Sequence, residues 1–414
     1  MMPSAAEKVP LRVQAAVYGV GAFANSGTVL VWVVIPLWLL HLETSPFFVG
    51  LAIGIRSLLP LLLAMPCGAL MDRLGSRRVV LVFSAIGVVL PPLYPLLPWI
   101  PAVIALQAFA GLANVMGWIG AQALIGQLMN SSPVYASRLS LSLRMAILTG
   151  PMLVGLAWDL YGPWGGFGML WLWGVLQFAA AVCLPKADPA LEGAAGPLTR
   201  VDLMPRFSDY GASIRLMAIP IVAMVVAIST IRMSGSAIQG SFLVVYLQDI
   251  GISATLIGVL LSSAQLFGAT GVLTSSGTVR ILRDHWVLLL SSGMAVAAVT
   301  VTPLLTSFWA LMVSTAFRGI GSGISQPLMI SIGQGAAGRE NFGKMAALRT
   351  SVNRLAEATI PIVMGTVVEL AGLRASFLIV GGFLLLMLGV VGLLILRYPA
   401  MGGDVPADRE IHHA

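Results

Sequence analysis

Charge is the scarcest ingredient of this 414-residue chain. Asp, Glu, Lys and Arg make up 9% of it, against 58% hydrophobic residues and a mean hydropathy of +0.95. A water-soluble protein of this size needs about a quarter of its residues charged to cover its surface. Most of the outer surface must therefore meet hydrocarbon, which excludes a disordered chain and leaves nucleic acid a poor partner. Cysteine is nearly absent as well: Cys67 and Cys183 stand alone in apolar stretches. The four histidines, His41, His285, His412 and His413, fall outside the long apolar runs. With no CxxC and no Cys/His cluster, a disulfide scaffold is excluded and no metal or redox site is indicated. Neither GxxxxGK[ST] nor a kinase glycine loop is present to hold ATP, so no ATP-driven pump and no cofactor is expected. No catalytic constellation appears, and an enzyme is not expected.

Apolar runs of membrane length fill the chain instead. A bilayer core about 30 Å thick takes roughly 20 helical residues to cross. Twelve segments qualify: 14–40, 47–71, 78–98, 101–128, 138–160 and 165–185, then 216–248, 254–277, 286–305, 308–333, 344–371 and 376–397. They are continuously apolar rather than alternating, which excludes β-spans. The longest polar stretch separates the sixth run from the seventh and carries Pro189, Gly193, Gly196, Pro197 and Pro205. The expected fold is an all-α membrane protein of twelve transmembrane helices in two pseudo-symmetric six-helix bundles. The bundles cover 1–185 and 216–414, the latter with a short tail, and 186–215 is a cytoplasmic linker. The opening MMPSAAEKVPLR lacks a cleavable-signal pattern, so the first run is expected to stay in the bilayer.

Lys and Arg set the orientation. With the amino terminus inside, 17 of the 23 lie in cytoplasmic segments, five lie within spans, and one, Arg374, lies outside. This asymmetry predicts both termini in the cytoplasm of a cell inner (plasma) membrane. It also accounts for most of the net charge of +7 without an acidic ligand.

The halves repeat. At a shift of 210 residues, Arg144 matches Arg354, Pro151 matches Pro361, Gly155 matches Gly365, Asp159 pairs with Glu369, Gly162 matches Gly372 and Phe167 matches Phe377. At a shift of 208, Ala108-Phe109 matches Ala316-Phe317, Gly111 matches Gly319, Trp38 pairs with Tyr246, and Gly50 matches Gly258. Duplicated membrane halves usually place a substrate site between them near the midplane.

The loop after the second run reads GALMDRLGSRR, with Gly68, Asp72, Arg73, Gly75, Arg77 and Arg78. Together with twelve spans and a central linker, it resembles the loop signature of the major facilitator superfamily, G-x-x-x-D-R-x-G-x-[RK]-[RK]. Gly68 would let two helices approach closely, Asp72 would face the positive end of a neighbouring helix, and the arginines would hold the loop at the cytoplasmic surface. The alternative is a merely topogenic basic loop, which needs neither the aspartate nor the glycines. The resemblance implies a conformational latch that closes against the start of span 11 in the outward-facing state. Two departures stand out. The second copy, GTVRILRDH, keeps Arg280 and Arg283 but has lost the aspartate. Family exporters carry an arginine motif in span 4 and a glycine-proline motif in span 5. Here Ala110 stands where span 10 has Arg318, and Val154 stands where a glycine is usual.

Five arginines fall within spans, Arg56, Arg144, Arg232, Arg318 and Arg354, against one clearly embedded acid, Glu357. An arginine at the bilayer centre costs at least about 2.5–3.5 kcal/mol on insertion scales, so each needs a partner or a wet cavity. Arg354 and Glu357, three apart, can pair. They form either a fixed structural pair or a proton-coupling pair whose acid titrates. Arg144 can snorkel to the surface, and Arg56 can bond backbone carbonyls. Arg232 and Arg318 lie near mid-span and suit a cavity that binds carboxylate or phosphate in bidentate fashion.

Polar residues share faces in four spans: Asn25, Thr28 and Trp32; Asn114, Trp118 and Gln122; Ser229, Arg232, Ser236 and Gln239; Arg318, Ser322 and Gln326. In the superfamily, spans 1, 4, 7 and 10 line the central cavity, so the resemblance implies that these faces converge there. The alternative for any single Ser, Asn or Gln is a helix–helix hydrogen bond. Trp32 and Trp118 suit a ring-bearing or amphipathic ligand.

These features point to a monomeric secondary transporter in the lipid bilayer, a permease that moves a small-molecule substrate by alternating access and draws on protons through Glu357. Import of an anionic or amphipathic solute by symport, such as a ferric-siderophore chelate, is one reading. Export of drugs or metabolites by proton antiport is the other. A non-transporting membrane scaffold or sensor is a third, against which the latch motif and the polar faces count.

Overall fold

The computed structural model describes residues 9–129, 133–185, 214–278, 282–338 and 341–401, apart from the side chains of 64–69, 72, 73, 133, 276 and 399. Every long element among them is a helix, as hydrocarbon demands. With no water to bond the backbone, each amide must find its acceptor within its own segment.

The first half contains α1 (Leu11–His41), α2 (Pro46–Leu74), α3 (Ser76–Leu96), α4 (Ile100–Leu128) and α5 (Pro133–Val182). A 3₁₀ turn at Arg215–Ala218 opens the second half. It continues with α6 (Pro220–Ile238), a π-turn at Gln239–Leu243, and α7 (Val244–Asp249), which together make one crossing. Then come α8 (Ala254–Thr278), α9 (Asp284–Val301), α10 (Phe308–Ala337), α11 (Phe342–Ala371) and α12 (Leu373–Arg397).

Two expected crossings, 138–160 and 165–185, run together in α5. Gly162 breaks it at φ 60°, ψ −148°, a conformation open to glycine because it has no Cβ. Among the described residues, nine helices are long and apolar enough to cross a bilayer, α5 counting once. The 30-residue α10 and α11 fall outside that set, being diluted by Arg318, Ser322 and Gln326 in one and by Arg349, Arg354 and Glu357 in the other. Dividing α5 at Gly162 and adding α10 and α11 restores the expected twelve. His285, expected outside the runs, is the second residue of α9 and is buried.

The chain forms two compact units. One consists of Met1–Trp38, Ile55–Pro205 and Ser253–Gly258, the other of Leu39–Gly54, Arg206–Ile252 and Val259–Ala414. In the first, Val17, Val20, Val80, Ala121, Leu124 and Leu139 build an apolar cluster from α1, α3, α4 and α5. In the second, buried Tyr246 donates its hydroxyl to the carbonyl oxygens of Pro303 and Leu305, at 3.2 and 2.9 Å, and so ties the end of α7 to the turn after α9.

Small residues set the helix spacing, since between lipid-embedded helices close van der Waals approach replaces the hydrophobic drive. A Cβ on Gly111 of α4 would collide with the carbonyl oxygen of Arg56 on α2, and one on Gly319 of α10 with that of Ala264 on α8. These are the same contact under the 208-residue shift. Gly111→Val is therefore expected to destabilise the protein by about 1–3 kcal/mol through overpacking. Gly168→Ala, where a Cβ meets nothing within 4 Å, should leave stability nearly unchanged. Thermal unfolding of the two purified variants in detergent checks the contrast.

Candidate substrate site

Three of the span arginines are bonded by neutral amides. In the first unit, Arg56 Nη1 on α2 donates to Gln107 Oε1 on α4 at 3.4 Å. In the second, Arg232 Nη2 on α6 donates to Gln326 Oε1 on α10 at 3.0 Å, and Arg318 Nη1 on α10 donates to Gln239 Oε1 at the π-turn. A glutamine oxygen satisfies a guanidinium N–H without cancelling its charge. Arg232 is 8% exposed, and its Nε has no hydrogen-bond partner among the described residues.

Arg354 Nη1 donates to Glu357 Oε2 at 2.8 Å on α11. Both side chains remain partly accessible, at 30% and 23%. One residue before Arg354, Asn353 accepts a bond of 3.0 Å from Ser229 Oγ of α6. Arg232 lies within electrostatic range of Glu357 and Arg349, so α6, α10 and α11 bring Ser229, Arg232, Gln326, Asn353 and Glu357 into one polar cluster. Gln326 is exposed, and Ser236 and Ser322 are half-buried.

Each unit also holds a cavity. In the first, a recess of about 500 Å³, counting the part open to solvent, is lined by Arg56, Asn114, Tyr94, Trp173, Gln177 and Phe23 among others. Trp173 meets Phe23 edge-on at 5.3 Å, and its Nε1 donates to Ser26 Oγ at 2.8 Å. In the second, about 380 Å³ is lined by Arg318, Gln239, Ser314, Thr315 and Thr302 with Leu and Val side chains. The cavities are related by the repeat, with Ala110 on one wall where Arg318 stands on the other. The arginine enters from α2 in one and from α10 in the other.

The remaining expected residues are dispersed. Asn25 and Trp32 are half-buried on α1, and Gln122 is exposed on α4. Trp118 packs against the apolar cluster around Val20 and Leu124. None of these four lines either cavity. Arg144 is exposed on α5. In the loop motif, Gly75 takes φ 86°, and Arg77 Nε donates to the carbonyl oxygen of Leu184 at 3.1 Å, capping the end of α5. The side chains at Gly68, Asp72 and Arg73 lie outside the described residues, and Arg78 is exposed. Sequence reasoning missed Gln107, Gln177, Trp173 and Asn353. A lone glutamine in an apolar helix was the available signal for the first two; nothing in the local pattern marked Trp173.

The sequence profile of the Major Facilitator Superfamily matches residues 17–232 and again 224–412. The chain belongs to that family. No curated protein matches its sequence significantly. Solved structures share the fold at low identity. The nucleoside transporter NupG superposes with a TM-score of 0.73 at 14% identity, covering 94% of this chain and 99% of its own. A POT family transporter in complex with 5-aminolevulinic acid gives 0.70 at 12%, covering 93% and 96%. The human organic anion transporter MFSD10 gives 0.57 at 18%, covering 92% and 99%. The family and these neighbours are transporters rather than enzymes, and this chain is a multi-pass membrane protein with a transporter's fold.

Removing the acceptor of the half-buried Arg318 guanidinium leaves its N–H unsatisfied. Gln239→Leu is therefore expected to destabilise the protein by about 2 kcal/mol, whereas Gln239→Glu, which makes an ion pair with Arg318, should not. Denaturant or thermal melts of both variants check this.

Proposed function

We propose that the protein is a secondary carrier for a small organic anion, or for an amphipathic solute with an anionic group, working by alternating access. The observation that carries this reading is the bonding of Arg232 and Arg318, among the described residues, by glutamine oxygens. A site built to keep positive charge in a low-dielectric setting favours an anion, and a guanidinium offers a fork of donors to carboxylate or phosphate. In the second unit Gln239, Gln326, Ser236 and Ser322 supply neutral donors and acceptors, and in the first Asn114 does, with Asn25, Trp32, Trp118 and Gln122 as further candidates. One of the solved neighbours is described as an organic anion transporter, which agrees in class.

Glu357, held by Arg354 and within range of Arg232, is the proposed proton-coupling acid: protonation would release Arg354 and change the charge next to the substrate's arginine. The loop from Gly68 to Arg78 acts as the cytoplasmic latch. The bundles divide at the 186–215 linker, and the chain works as a monomer in the inner (plasma) membrane with both termini inside. We take the direction as import, with ferric-siderophore chelates as one fitting class of bulky anion.

The test is transport in proteoliposomes against a panel of radiolabelled anionic, neutral and cationic solutes, with and without an imposed pH gradient. Arg232→Ala and Arg318→Ala are expected to abolish anion transport while leaving the protein monodisperse. Wild-type rates in both variants, or transport confined to cations, would refute the reading. Glu357→Gln should keep solute exchange but lose gradient-driven accumulation. Accumulation only in inside-out vesicles would make the protein an exporter.

A further inference from the structure

The starts of α2 and α8 are each bonded by a carboxylate from another helix, which neither the loop motif nor the charged cavities explain. In the first unit, Asp159 near the break in α5 accepts three hydrogen bonds from the first turn of α8. Its Oδ1 takes the amide of Ala254 at 3.0 Å, and its Oδ2 takes the amide and the hydroxyl of Thr255 at 2.8 and 2.6 Å. In the second unit, Glu369 near the end of α11 accepts the amide of Phe47, in the first turn of α2, at 3.1 Å. Those amides have no acceptor within their own helices, and the positive end of the helix dipole favours a negative charge there.

The two arrangements duplicate each other residue by residue. A Cβ on Gly258 would strike the carbonyl oxygen of Pro151, and one on Gly50 would strike that of Pro361. A Cβ on Gly155 would strike the carbonyl of Ala254, and one on Gly365 that of Pro46. Shifts of 208 on α2 and α8 and of 210 on α5 and α11 carry every one of these contacts onto its counterpart, Asp159 onto Glu369 included. In both, the helix tip comes from the opposite half of the sequence, and in both the carboxylate sits at the end of its helix remote from the arginine-rich loops. Three bonds hold one tip and one bond holds the other.

We infer that Asp159 and Glu369 are paired clasps, each pinning the first turn of a helix from the opposite half, and that the carrier must break both to open the end of its spans remote from the basic loops. The glycine contacts bring backbones close enough for a carboxylate to reach the amides, and the exposure of both acids lets water replace the bonds when the tips leave. Asp159 is the stronger clasp and Glu369 the weaker. The inference rests on the alternating-access reading, but its test needs no substrate, so the two can fail separately.

A single cysteine is placed at Ala254, which is 1% exposed, in a Cys67→Ser/Cys183→Ser background. Its labelling by a membrane-impermeant maleimide is followed in right-side-out vesicles. Asp159→Asn is expected to raise the labelling rate about tenfold, equivalent to about 1.4 kcal/mol. Glu369→Gln and Thr255→Val should each raise it by a smaller factor, and the double Asp159→Asn/Glu369→Gln variant by the most. A second reporter at the exposed Ser140, near the start of α5, is labelled in inside-out vesicles and should slow in the same variants. Unchanged labelling at position 254 in the double variant would overturn the inference. So would a rise at 254 without a fall at 140, since a general loosening of the fold gives that pattern.

Discussion

A guanidinium inside a membrane cannot be left without acceptors, and the way this protein satisfies its arginines governs much of what surrounds them. Carboxylates would have been the cheapest partners electrostatically, and one is used, Glu357 for Arg354. Arg232 and Arg318 are bonded by glutamines, and Arg56 also meets one. A glutamine satisfies hydrogen bonds without itself cancelling the charge. This bonding explains why polar side chains gather on α6, α10 and α11, and why α10 and α11 are the least lipid-like of the long helices. The π-turn after α6 has the same origin: it places Gln239 at a widened turn, where its amide reaches Arg318.

The helix packing obeys a second constraint. Lipid gives no hydrophobic reward for bringing helices together, so close backbone approach has to supply the attraction. The glycines at 50, 111, 155, 258, 319 and 365 all face carbonyl oxygens of another helix, in pairs related by the repeat. Duplication has preserved these contacts more faithfully than the chemistry beside them. The loop aspartate was lost in the second copy, and the cavity arginine changed helix.

Much of the fold was legible in the sequence. Twelve runs, their order and their repeat follow from length, continuous apolarity and matched Gly, Pro and acidic positions, and the structure shifts the ends by only a few residues. The break between the fifth and sixth runs falls where the sequence put it, at Gly162, in a turn so short that α5 continues almost without a gap. The site was legible only in part. The arginines stood out because charge in a membrane is conspicuous, and the Arg354–Glu357 pair followed from spacing alone. Their glutamine partners did not, because a single Gln107 or Gln239 in an apolar helix says nothing about which neighbour it meets. Faces drawn by helical periodicity grouped Trp118 and Gln122 with Asn114, yet only Asn114 lines a cavity, since α4 turns one flank of that stripe into the apolar cluster.

The two compact units do not coincide with the two halves of the sequence. The first unit borrows Ser253–Gly258, and the second borrows Leu39–Gly54. A polypeptide severed in the 186–215 stretch would leave each fragment with an empty glycine-lined groove and a carboxylate without its helix end. The ribosome faces the same situation in time. Until α8 has been synthesised, Gly155 and Asp159 of α5 lack the turn that meets them.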